Sequence, residues 1–183
     1  MNKRGLRIGL LALLIIFIIA FSNNIKADYS NNYPFNYEDY NDYEFSNEDI
    51  MIRLKYPKDW IVKDMKIRKG SEIQEADPEL GGVEIYANAN SERPVLWIYK
   101  NISHMPGVFD ERFEQTGSIV ADNEKIADIW TEEDTHSDIN MTITYRDTYE
   151  GAIIYLDKKI FKKYEKEIYA ILSSVIFQEG SVD

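Results

Sequence analysis

The chain contains no cysteine. That removes disulfides, thiol catalysis and cysteine-ligated zinc. It also removes the lipid anchor that needs a cysteine after an export signal. Histidine is scarce, with only His104 and His136 in 183 residues, which nearly closes off Ser-His-Asp triads and three-histidine metal centres. There is no phosphate-cradling P-loop, no dinucleotide fingerprint, no Gly-x-Ser-x-Gly elbow and no internal repeat. Basic residues are in deficit, 21 Lys and Arg against 32 Asp and Glu, for a formal net charge of −11. Such a surface is repelled by phosphate backbones and anionic lipid, which argues against nucleic acid as a partner and leaves cations and basic surfaces.

A long apolar run occurs once, from Ile8 to Phe21, behind Lys3, Arg4 and Arg7. At about 1.5 Å per residue it would reach only ~21 Å as a helix, short for a bilayer core of ~30 Å. Ala20-Phe21-Ser22 offers small residues where a signal peptidase reads, and Ile25-Lys26-Ala27 offers a second such place. Residues 1–27 therefore read as a signal peptide or a signal anchor. Either one puts the chain from Asp28 outside the cytoplasm, secreted or anchored to the outer face of the cytoplasmic membrane, with membrane contact only through this segment if uncleaved. The segment holds four of the 21 basic residues and none of the 32 acids, so the remainder carries −15.

Residues 28–49 are acidic and rich in tyrosine and asparagine, with Asp28, Glu38, Asp39, Asp42, Glu44, Glu48 and Asp49 and no basic residue. Tyr29, Tyr33, Tyr37, Tyr40 and Tyr43 recur at three or four, but no aliphatic residue supplies a core face. The stretch reads as a disordered, self-repelling spacer; the alternative is an arm whose aromatics dock on a partner.

Residues 50–183 read as the folded domain. Ile50, Ile52, Leu54 and Tyr56 alternate with Met51, Arg53 and Lys55, a strand with one buried face. Pro57 ends it, since proline cannot donate to a ladder. Ile61-Val62, Val83 to Ala89, Val95 to Ile102, Lys125 to Thr131, Ile139 to Tyr145 and Ala152 to Leu156 read as further strands. Asp110 would cap a short helix to about Thr116. Asp157 would cap a long closing helix whose stripe is Ile160, Tyr164, Ile168, Ile171 and Val175. Leu96 and Ile98 lie on one face of their strand, Trp97 and Tyr99 on the other, as expected of a strand covered on both sides.

Two stretches carry a resemblance. A strand closing in Tyr56-Pro57-Lys58-Asp59-Trp60 resembles the opening of PsbP-like domains, relatives of the extrinsic PsbP subunit of photosystem II. Phe161 to Phe177, ending Ser-Ser-Val-Ile-Phe, resembles that family's closing helix. The resemblance implies an α+β fold, a three-layer α-β-α sandwich around a mostly antiparallel sheet. It implies no particular activity, because the fold hosts mainly binding and assembly roles.

One stretch has metal-ligand character. In an extended Glu132-Glu133-Asp134-Thr135-His136-Ser137-Asp138, the side chains of Glu132, Asp134, His136 and Asp138 would point the same way toward a divalent cation. A charged hairpin tip would read the same. His104 has no partner carboxylate in view. The sequence thus points to a non-enzymatic exported domain acting through protein binding or assembly at the cell envelope. It implies no cofactor. The alternative is a module binding a divalent cation, weakly, or a small ligand at residues 132–138.

Overall fold

Ile50–Pro57 forms β2, with Ile50, Ile52 and Leu54 buried and Arg53 exposed, the alternation written in its sequence. The computed structural model describes residues 35–46, 50–65, 81–100, 111–132, 138–145 and 150–179. The export segment, the expected 70–79 loop and most of the 147–151 turn lie outside them. β2 is the middle strand of a three-stranded antiparallel sheet, between β1 (Tyr40–Ser46) and β10 (Ile176–Glu179). A second antiparallel sheet comprises β3 (Ile61–Asp64), β4 (Gly82–Tyr86), β5 (Leu96–Lys100), β6 (Phe113–Ala121), β7 (Glu124–Glu132), β8 (Asp138–Tyr145) and β9 (Glu150–Asp157). Its order is β3-β4-β5-β9-β8-β7-β6. α1 (Lys158–Ser174) is the one helix among the described residues.

The expected α+β three-layer sandwich is therefore corrected to a mostly β protein of two antiparallel sheets and one helix. Three stretches account for the change. The first is the acidic stretch read as a spacer, which supplies β1. Tyr43 and Phe45 turn inward beside Leu54 and Ile52, while Asp42 and Glu44 face Lys55 and Arg53 across the ladder. The ion pairs Lys55–Asp42 (2.5 Å) and Arg53–Glu44 (2.7 Å) are exposed. Each is worth little in stability, but together they favour this register over its neighbours.

The second is the expected short helix after Asp110. Its described part runs into β6, which pairs with β7 from Phe113↔Glu132 to Ala121↔Glu124. The hairpin turns at Asp122 and Asn123, with φ of 52° and 64°, the left-handed pair of a type I′ turn whose twist suits the flanking strands. The third is the tail of the closing helix. α1 stops at Ser174, Val175 is extended, and Ile176–Glu179 pairs with β2.

The core forms between α1 and the inward faces of both sheets. Ile139, Met141, Ile143 and Tyr145 of β8 alternate inward beside Leu156, Ile154 and Ala152 of β9. α1 contacts β2 as well as β6, β8 and β9, and so joins the sheets. Polar ties fix its C-terminal end. The Tyr145 hydroxyl donates to the Leu172 carbonyl at 2.8 Å, and the Tyr37 hydroxyl donates to that of Ala170 at 3.0 Å. The Lys55 N–H donates to Ser174 Oγ at 2.8 Å. At the other end Asp157 Oδ1 accepts from the N–H groups of Lys159 and Ile160, the N-cap expected of it.

The expected stripe is buried at Ile168, Ile171 and Val175 and packs in part at Tyr164, but it fails at its start. Phe161 is buried there, while Ile160 is 43% exposed. Outward, the seven-stranded sheet shows half-buried Trp97 and Tyr99 of β5, and no helix covers that face among the described residues. Gly82 is set by close approach: a Cβ there would lie 2.5 Å from the Ile98 carbonyl oxygen and 2.6 Å from Tyr99 Cβ.

Candidate functional site

Among the described residues three large apolar side chains are exposed: Tyr155 (51%), Ile160 (43%) and Ile176 (52%). Exposed apolar groups gathered in a concavity are more telling than the same groups scattered over a surface. Tyr155 and Ile160 share one cleft of about 530 Å³, which opens where β9 runs into α1. That volume falls in the range of ordinary ligand sites, ~300–1,000 Å³.

The cleft has three walls. One is the β4–β5 connection, where Ser91 N–H donates to the Asn88 carbonyl at 3.2 Å and Asn90 N–H to Asn88 Oδ1 at 2.9 Å. This tight turn places Ser91, Glu92 and Arg93 on the rim. The second wall is the end of β8 and β9, with Asp138, Tyr155 and Asp157. Asp138 and Asp157 are direct partners in the ladder. The third is the first two turns of α1, with Ile160, Lys163 and Tyr164.

Tyr164 is held from behind by Trp60, whose ring meets it edge-on at 5.4 Å and 85°. The aromatic that follows β2 therefore shapes the cleft from the core side. Lys163 is folded onto the same ring: its ammonium lies 4.5 Å from the centroid and donates to the Tyr164 hydroxyl at 2.9 Å. Glu92 and Arg93 are exposed and form no ion pair with a described residue.

A second groove, of about 400 Å³, lies on the outer face of the three-stranded sheet and includes Ile176. Its charged residues Asp42, Glu44, Arg53 and Lys55 are already paired with one another. It offers less unsatisfied chemistry than the β9–α1 cleft.

The residues expected to bind a cation are only partly placed. Asp134 and His136 lie outside the described residues, as does His104. Glu132 is engaged at both oxygens: Arg112 Nη1 lies 2.9 Å from one, and Asn140 Nδ2 donates to the other at 2.6 Å. Asp138 starts β8 and lines the cleft. Among the described residues no group of three or more acids and histidines is placed to hold a metal ion.

Sequence reading missed this cleft because its parts had ordinary explanations. Glu92 and Arg93 sat in a plain turn, and Ile160 counted toward the helical stripe. Tyr155 did carry a signal, falling out of phase with Ala152, Ile154 and Leu156 in an otherwise apolar strand. Compared with models of protein families, with curated proteins and with solved structures, the chain matches none.

Proposed function

We propose that this protein is an exported, non-enzymatic binding module that engages a partner protein at the cell envelope through the β9–α1 cleft. The observation that carries the reading is the exposure of Tyr155 and Ile160 together in a walled concavity with charged residues on its rim. Apolar anchors ringed by polar groups are the usual make-up of a protein-recognition patch. The supporting walls are rigid elements, a ladder end and a capped helix, so little ordering is needed on binding.

Export supplies the setting. A positively headed apolar segment followed by a chain of −15 delivers an acidic domain beyond the cytoplasmic membrane. The test places a photo-crosslinking residue at Tyr155, at Ile160 and, for comparison, at Ile176 of the full chain in its native envelope. Discrete adducts should form from the first two positions and not from Ile176. Absence of adducts at Tyr155 and Ile160, or equal yields from all three, would refute the assignment.

A further inference from the structure

The chemistry around the cleft narrows what it would hold. Five charged residues line it: Glu92, Asp138 and Asp157 against Arg93 and Lys163. Lys163 is folded onto the ring and hydroxyl of Tyr164 and keeps its charge, so the lining carries three acids to two bases. Glu92 and Arg93 both stand exposed on the rim without an ion-pair partner among the described residues. The exposed ring of Tyr155 can accept a cation on its face. Over the whole chain the charge is −11, a field that draws in positive partners and repels negative ones.

Resting on the cleft as the binding site, we infer that its occupant is a basic peptide segment of a partner protein, with Lys or Arg flanking an apolar side chain. The apolar group sits on Tyr155 and Ile160, and a cation meets Glu92 on the rim. An extended segment suits this, because alternate residues point to the same side. A purely cationic ligand would leave the apolar floor uncovered. An acidic segment would face both the wall carboxylates and the overall field.

The experiment uses the full chain in detergent and three labelled peptides of equal length, read by fluorescence anisotropy. One alternates Lys and Leu around a central Trp; the others replace each Lys by Glu or by Ser. The Lys peptide should bind best and weaken severalfold as salt rises from about 25 to 150 mM. Its affinity should fall about tenfold in a Tyr155→Ser, Ile160→Ser double variant, the loss expected of a central apolar anchor. Glu92→Gln should weaken it as well, whereas Glu114→Gln, an exposed change on β6 away from the cleft, should not. Tyr155, Ile160 and Glu92 are exposed, so these variants keep the wild-type melting transition, which thermal unfolding checks in parallel. If the Glu or Ser peptide binds as well as the Lys peptide, with the same dependence on Tyr155 and Ile160, the basic occupant is refuted while the cleft stands as a binding site. If no peptide binds, or binding ignores the cleft variants, both the occupant and the cleft are refuted.

Discussion

Ile168→Ala is expected to destabilise the protein by ~2–5 kcal/mol, the cost of lost burial plus the cavity left behind. Ile168 is 0% exposed and lies in the half of α1 whose residues 168–172 are all buried. This is also the end of the helix that meets β2 and takes the hydrogen bonds of Tyr145 and Tyr37. A cavity here would loosen the joint between the two sheets as well as the helix itself. Lys166→Ala, on the exposed face two residues earlier, should cost less than ~0.5 kcal/mol. Chemical denaturation of the three proteins measures both, and equal losses would mean that the helix packs by a different face.

Alkaline pH should unfold the protein, and the tyrosines set where. Burial, with smaller contributions from neighbouring acids and tyrosines, pushes Tyr37 and Tyr43 up to about 12. Burial raises Tyr99 further and holds Tyr145, fully enclosed, well above the ordinary phenol value. In the unfolded chain these groups ionise near ~10. Below that pH they are neutral in both states and add no pH dependence. Above it the unfolded chain releases protons that the folded chain keeps, so stability falls as pH rises from about 10 toward the folded values.

Unfolding by urea should therefore change little between pH 7 and 9 and weaken steeply above ~10. Two substitutions separate causes. Tyr99 lies between Gly82 and Gly151 in the ladder, and no described residue hydrogen-bonds its hydroxyl, so Tyr99→Phe should match wild type at pH 7 and outlast it above ~10. Tyr145→Phe loses the bond to the Leu172 carbonyl, so it should be weaker by ~1 kcal/mol at pH 7 and then decline less steeply. Parallel decline of wild type and Tyr99→Phe would contradict the role given to burial.

Much of the fold was legible where one face decided the matter. β2, β8 and the Asp157 cap follow directly from alternation and from the side chain that a helix start needs. The layers were not legible, because local pattern does not say how ladders associate. β1 illustrates this: Tyr43 and Phe45 alternate with Asp42 and Glu44, but only Arg53 and Lys55 on the neighbouring strand turn a self-repelling stretch into a paired one. β6 was lost because Asp110 resembled a helix cap, whereas the Asp122-Asn123 turn, less distinctive than one containing glycine, committed the segment to a hairpin. Ile176 and Phe177 continued an apolar run out of the helix, and only pairing with β2 makes them strand. The cleft was the least legible feature. Its walls bring the turn at 88–95 and the start of β8 to the β9–α1 junction, segments well separated in sequence, and Ile160 serves it by failing to serve the core.

Hydrogen–deuterium exchange of the full chain, alone and with the crosslinked envelope partner, tests the central assignment most directly. Slower exchange should appear in residues 88–95 and in 158–164, the turn and the helix start that wall the cleft, with little change along β6. Protection confined to β1 and β10 or to the β6 edge, with 88–95 and 158–164 unchanged, would contradict the cleft as the binding surface.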